Sequence, residues 1–350
     1  MRFNPLGSSG LTVSEICLGS MTWGIQNNQH DADQQIQRAI DTQINFIDTA
    51  EMYPVPPNKE TYGDTERVIG DWLSRHPAQR QALIIMSKIA GPGIGYIRGG
   101  ERMTGKALPV ALDASLERLQ TDYVDVYQLH WANRPTAHFG THWPNQVRPS
   151  KIDADRERDT MRELVIALGE EIKAGKIRHW GLSDETPWGI HTFLQLCSEL
   201  NVPRPVSIQN EFSLIHLKDW PYLIETCVLE DVAYLPWSPL AGGALSGKYL
   251  NGERPAGSRW TMVQRQGLFR DTAMANQAIA RYVALANDFG ITPSQLALAW
   301  CRQVDGVTST IIGATTLAQL EENIAAFSIT LTDQQLAEVH EVLQQFSQPF

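Results

Sequence analysis

Cysteine is scarce: Cys17, Cys197, Cys227 and Cys301 are the whole complement of a 350-residue chain. They lie far apart, with no Cys-x-x-Cys pair and no ligand-like spacing. Neither a disulfide framework nor a structural metal is expected, and they read as free thiols packed like small hydrophobes in a reducing compartment. Basic residues are outnumbered, 29 Lys and Arg against 39 Asp and Glu, for a net charge of −10. That balance excludes a broad basic surface for nucleic acid or an anionic membrane, although a few local cations can still hold an anionic cofactor. No apolar run reaches the ~18 residues that cross a bilayer, and residues 1–9 lack the apolar segment of a secretion signal. A cytoplasmic protein is expected. Linkers, low-complexity tracts and sequence repeats are also missing, so residues 1–350 are expected to form one domain.

What is present is a regular alternation. Short apolar or β-branched runs occur at 16–19, 45–50, 83–89, 123–130, 177–183, 206–210, 232–237 and 308–313. Between them lie stretches of helical period at 31–43, 64–75, 105–120, 157–174, 187–200, 221–230, 272–289 and 316–327. Asp64 is the expected N-cap of the second. Strands separated by helices pair in parallel through right-handed crossovers, and eight such units predict closure into a (β/α)8 TIM barrel. Three pieces fall outside the plan: an N-terminal hairpin in residues 1–13 over the barrel floor, an extra helix at 293–303, and a C-terminal helix at 331–346 capped by Thr332 or Asp333. Two long polar loops, 54–63 and 132–155, follow the second and fourth strands, at the end of a barrel where catalysis occurs.

Four ionisable residues sit at or just beyond consecutive strand ends: Asp48, Tyr53, Lys88 and His130. A phenol with a reference pKa near 10 is a poor proton donor at neutral pH, and a nearby ammonium lowers that barrier by stabilising the phenolate. Lys88 suits that part, Asp48 suits pairing the lysine, and His130 suits orienting a substrate carbonyl through a ring N–H. Taken singly, each has an ordinary reading: Asp48 a loop cap, Tyr53 a surface aromatic, Lys88 a solvated charge, His130 a core histidine. Their coincidence at successive strand ends argues for acid catalysis.

With these motifs in view, the chain resembles the aldo-keto reductase family, most closely its bacterial branch related to potassium-channel β subunits. The likeness runs from Leu18-Gly19-Ser20-Met21-Thr22-Trp23-Gly24 to Glu321-Glu322-Asn323, nearly the whole chain. Asp48, Tyr53, Lys88 and His130 match the family's catalytic tetrad. The resemblance implies that Ser183, Asp184 and Gln209 hold a nicotinamide carboxamide and that Trp237 stacks on its ring. It further implies cofactor contacts from Ser238, Pro239, Leu240 and Gly242, and an adenosine-phosphate site from Gly313, Thr315, Gln319, Glu322 and Asn323. Lys248 and Arg259 are the candidates for the adenosine 2′-phosphate, which favours NADPH (NADP+) over NADH. Asp184 departs from the usual Asn, and Trp237 from the Tyr of many members. A carboxylate accepts hydrogen bonds but cannot donate to a carboxamide oxygen.

The expected activity is therefore NADPH-dependent reduction of an aldehyde or ketone, with Tyr53 as general acid and no metal. The expected partner is a small-molecule carbonyl compound, and monomer or homo-oligomer stays open. A redox-sensing NADP-binding regulator is the alternative; channel β subunits carry Asn where this chain has His130, which favours an enzyme here. A barrel glycosidase built on Asp48 and Glu51 is disfavoured because that pair shares one loop. Gly91-Pro92-Gly93-Ile94-Gly95 fails the dinucleotide fingerprint, since Tyr96 stands at its third glycine position, and reads as a mobile substrate-side loop. His138 and His142 lack the spacing of a metal site. Trp23, Met52, Trp131, Phe139 and Trp143 are candidates for an apolar pocket wall or for loop packing.

Overall fold

A computed structural model describes residues 1–262 and 268–350. Strands β1 (Phe3–Pro5) and β2 (Thr12–Ser14) form an antiparallel hairpin. The barrel strands are β3 (Ile16–Gly19), β4 (Phe46–Asp48), β5 (Ile84–Ile89), β6 (Val124–Leu129), β7 (Ile177–Ser183), β8 (Ser207–Glu211), β9 (Ala233–Trp237) and β10 (Thr310–Ile312). They run in the order β10-β3-β4-β5-β6-β7-β8-β9, all parallel. Between β9 and β10 a parallel bridge joins Tyr234 to Val307, and the Thr308 N–H donates to the Tyr234 carbonyl at 2.9 Å. The eight strands thus make the expected, nearly closed (β/α)8 barrel.

Helices α1 (Gln29–Asp41), α2 (Asp64–Arg75), α3 (Ala107–Leu119), α4 (Ala154–Lys173), α5 (Pro187–Leu200), α6 (Tyr222–Leu229) and α7 (Ala273–Asp288) lie between the strands and α9 (Leu317–Ala326) follows the last, with α8 (Pro293–Gln303) and α10 (Asp333–Gln345) as additions. Their starts are written in local chemistry. Asn28 with Asp31, Thr292 with Gln295, and Thr332 with Gln335 each make a reciprocal capping box, each worth about 1 kcal/mol. One expectation is corrected. Asp64 is not the N-cap of α2 but its first residue; Gly63 precedes it at φ 84 with no side-chain cap, and Asp64 pairs instead with Arg67.

The period of two along each strand decides what enters the barrel. Cys17, Phe46, Ile84, Met86, Val126, Val206, Ala233, Leu235 and Ile311 pack together inside, closed from below by Leu6 and Val13 of the hairpin. The alternate residues Leu18, Ile47, Ile85, Tyr127 and Leu182 pack outward against the helices. Continuing the inward parity along β4, β5 and β6 reaches Asp48, Lys88 and His130. The register pairs Asp48 with Met86 and Lys88 with Gln128, so each successive inward residue rises higher toward the mouth.

Candidate active site

Asp48 and Lys88 meet where the inward faces of β4 and β5 run out of apolar residues. Both are buried, and the Lys88 Nζ lies 2.5 Å from Asp48 Oδ1 and 2.7 Å from the Thr49 carbonyl oxygen. A lysine so deep is tolerable only with such partners, because removing one member of a buried pair costs about 3–5 kcal/mol. From across the barrel, Gln209 Nε2 donates to the same Asp48 oxygen at 2.8 Å. Tyr53 lies beyond β4 with its ring centroid 4.9 Å from the Lys88 ammonium. The His130 ring meets Tyr53 edge-on at 5.6 Å. Burial first, and the Lys88 charge second, push the His130 imidazole well below its usual pKa, so it is neutral. Its buried Nδ1 has no hydrogen-bond partner among the described residues. An unpartnered lone pair costs less there than an unpartnered N–H, which favours the tautomer with its proton on Nε2. The four residues separated in the sequence are therefore brought together.

The opposite wall is built from β7 to α9. Ser183 ends β7 opposite Gln209 on β8, and the register continues from Glu211 to Trp237 on β9. Asp184 turns away from the strand at φ 47 and is buried. Trp237 Nε1 donates to Asp184 Oδ1 at 3.2 Å, holding the half-buried indole in place. Past Ser238, Pro239 and Leu240, residues Ala241–Ser246 coil tightly, with Gly242 at φ 68 and Gly243 at φ 92. These conformations suit glycine and expose backbone that a side chain would cover. A Cβ on Gly242 would stand 3.7 Å from Arg259 Cδ, and one on Gly243 would stand 3.0 Å from Lys248 Nζ, so both cations border this turn. Beyond β10, the Thr315 N–H and hydroxyl both contact Gln319 Oε1 at 3.0 Å, and Asn323 Nδ2 donates to the Gly313 carbonyl at 3.2 Å. Glu322 accepts from the Thr292 hydroxyl at 2.6 Å.

Several neighbours escaped sequence reasoning. Glu51 Oε2 accepts from Arg98 at 2.7 Å, while Arg98 also donates to the Ala90 carbonyl at 2.8 Å, strapping the Tyr53 loop to the loop after β5. Arg134 and Glu185 form a buried ion pair at the root of the 132–155 loop. Nothing local in the sequence marks these pairs, since their members are 47 and 51 positions apart. In the glycine run after β5, Gly93 N–H donates to the Gly100 carbonyl at 3.0 Å, and Trp131 Nε1 to the Pro92 carbonyl at 3.1 Å. Gly91 is required there, because a Cβ would stand 2.3 Å from Trp131 Nε1.

The candidate pocket aromatics divide. Trp23 is buried in the outer core with Nε1 on Gln35 at 3.1 Å, so it is not a pocket wall. Phe139 lies over Trp237 with centroids 5.9 Å apart, Trp131 packs on His130 at 4.9 Å, and Met52 packs beside Tyr53. Trp143 is half exposed beside His142. His138 and His142 take separate partners, Asp184 and the Phe350 carbonyl.

Comparison with known proteins agrees with this architecture. Residues 15–344 match the model of the Aldo/keto reductase family. The chain is 41% identical over 352 residues to Protein tas of Escherichia coli (strain K12), covering 100% of this chain and 99% of that protein. Protein tas of Shigella flexneri matches to the same extent. The Uncharacterized oxidoreductase YrpG of Bacillus subtilis (strain 168) is 27% identical over 345 residues, covering 98% of this chain and 96% of that protein. With a family match that spans nearly every element of the barrel and a relative of this identity along its full length, the chain belongs to the aldo/keto reductase family, oxidoreductases that generally use NAD(P)H.

Proposed function

We propose that this oxidoreductase reduces an aldehyde or ketone to the alcohol with NADPH, and that Tyr53 is the proton donor. The observation that carries the reading is the grouping of the Lys88 ammonium, the Asp48 carboxylate, the Tyr53 ring and a neutral His130 at one end of the barrel.

The residues on the opposite wall fit a nicotinamide dinucleotide. Trp237 offers a flat aromatic surface beside Ser183, Asp184 and Gln209, the Gly242–Gly243 turn exposes backbone for a pyrophosphate, and Lys248 and Arg259 border it with positive charge. Gln319, Glu322 and Asn323, with Gly313 and Thr315, are the proposed adenosine end. A bound NADPH supplies the hydride for the carbonyl carbon. Tyr53 gives its phenolic proton to the carbonyl oxygen, so that the two electrons and the proton complete an alcohol. Lys88 stabilises the negative charge left on the Tyr53 oxygen, and Asp48 holds the ammonium in place with Gln209 as its second donor. His130, with Nε2–H as its donor, orients the carbonyl oxygen without competing as an acid.

A panel of aldehydes and ketones followed by NADPH absorbance, with NADH in parallel, tests this. The expected result is carbonyl-dependent oxidation that collapses in Tyr53→Phe. Tight NADPH binding with no oxidation by any carbonyl, and no effect of Tyr53→Phe, would favour the redox-sensing regulator.

A further inference from the structure

Asp184 is a buried carboxyl group with no lysine or arginine paired to it among the described residues. Its only partners among the described residues approach one oxygen, Oδ1: Trp237 Nε1 at 3.2 Å and His138 Nδ1 at 3.5 Å. The cations nearby are committed elsewhere. Arg134 pairs with Glu185, Arg270 pairs with Glu211, and Lys218 donates to the Ala137 carbonyl, so that its charge opposes the neutral acid only from a distance and after the larger effect of burial. The two surrounding histidines are neutral, since burial holds His138 at about 3 and His216 at about 4. Glu211 and Asp219 add negative charge to the neighbourhood, and Asp219 itself is raised to about 6, mainly by burial, although the Tyr234 hydroxyl donates to it. Burial is also the first cause that pushes Asp184 well above the usual carboxylate range. An ion placed there would be desolvated and unpaired, the arrangement that most favours the neutral acid.

We propose that Asp184 works as a neutral carboxylic acid, its Oδ2–H donating to the nicotinamide carboxamide oxygen while Oδ1 accepts from Trp237. The inference rests on the nicotinamide site proposed above. A carboxylate offers acceptors alone, whereas a neutral acid offers one donor and one acceptor, the pair that a primary carboxamide complements. The placement of the proton follows from the contacts: Oδ1 takes the indole N–H and is the carbonyl oxygen, which leaves Oδ2 as the hydroxyl. Asp184 is then a positioning residue whose grip on the cofactor depends on its proton. Alkaline pH removes the donor and brings a negative charge beside the carboxamide oxygen.

Two measurements test the proposal on the intact protein. In the cofactor-free protein at neutral pH, the infrared difference between wild type and Asp184→Asn should contain a protonated-carboxyl band that shifts in D2O. For NADPH binding, followed by tryptophan quenching from about pH 6 to about pH 9, the wild type should weaken by about tenfold per pH unit once Asp184 ionises. Asp184→Asn keeps a donor and an acceptor without a proton to lose, so its affinity should stay within about threefold of the acid-side wild-type value and show no such decline. This variant retains the cofactor's own phosphate titration and so controls for it. Asp184→Ala should bind weakly at every pH, and supplies the infrared reference if Asp184→Asn fails to fold. Absence of the band, or NADPH affinity of wild type at about pH 6 no tighter than that of Asp184→Ala, overturns the proposal. Failure of wild type to bind either NADPH or NADH sinks the nicotinamide site and the donor role with it, while the infrared band still reports the acid.

Discussion

On the β4–β6 wall of the mouth, Asp48, Lys88 and His130 are buried, and each charge is held by a side chain or carbonyl at hydrogen-bond distance. On the wall from β9 to α9, Trp237, Ser238, Gly242, Lys248 and Arg259 are half-buried, and shape comes from backbone turns with positive φ at Ser238, Ala241, Gly242 and Gly243. The first wall is organised by charge in a dry setting, where a proton donor needs fixed partners. The second is organised by chain geometry, which suits an extended polar ligand approached by main-chain groups. Gln209 joins the two, standing beside Ser183 while donating to Asp48.

This contrast predicts different consequences for damage on either side. Tyr53→Phe should lower kcat by roughly 10²–10⁴-fold, the usual worth of a general acid, with NADPH affinity retained, as steady-state absorbance and fluorescence titration would show. A loss of cofactor affinity equal to the loss in rate would mean that the two walls are not separable. Lys88→Met leaves Asp48 buried without its cation and should cost about 3–5 kcal/mol in stability by urea unfolding, in addition to abolishing turnover. Trp237→Ala, on the geometric wall, should weaken NADPH binding by about 10–100-fold, the equivalent of burying one large side chain, with folding nearly unchanged. Arg259→Ala should act least, reducing NADPH affinity by about tenfold in low salt and leaving NADH affinity untouched. An equal effect of Arg259→Ala on both dinucleotides would remove that residue from the 2′-phosphate.

Legibility in the sequence followed the range of the interactions. All eight barrel strands were visible, because parallel strands covered on both faces appear as short apolar runs bounded by polar loops. The start of α10 was visible to within one residue, Thr332 rather than Asp333 being the cap, because capping is a local preference. Gly63 displaced Asp64 as a cap because the chain reaches α2 through a left-handed turn, which residue preferences alone did not reveal. Trp23 stayed open between pocket wall and packing because an aromatic near a strand end looks the same whether it faces the mouth or Gln35 behind it, and the fold chose packing.

The chain by itself determined the alternation of strand and helix, the inward parity that carries Asp48, Lys88 and His130 to one end, and the resemblance on which the cofactor reading rests. These depend on periodicity and local motif, which survive in one dimension. Tertiary structure alone decided that Gln209 bonds Asp48 from across the barrel, that Arg98 straps Glu51, and that Asp184 is buried with Trp237 and His138, rather than a described lysine or arginine, on its carboxyl group. Burial and pairing across the fold depend on which distant segments displace water from a group, a quantity that no stretch of sequence contains.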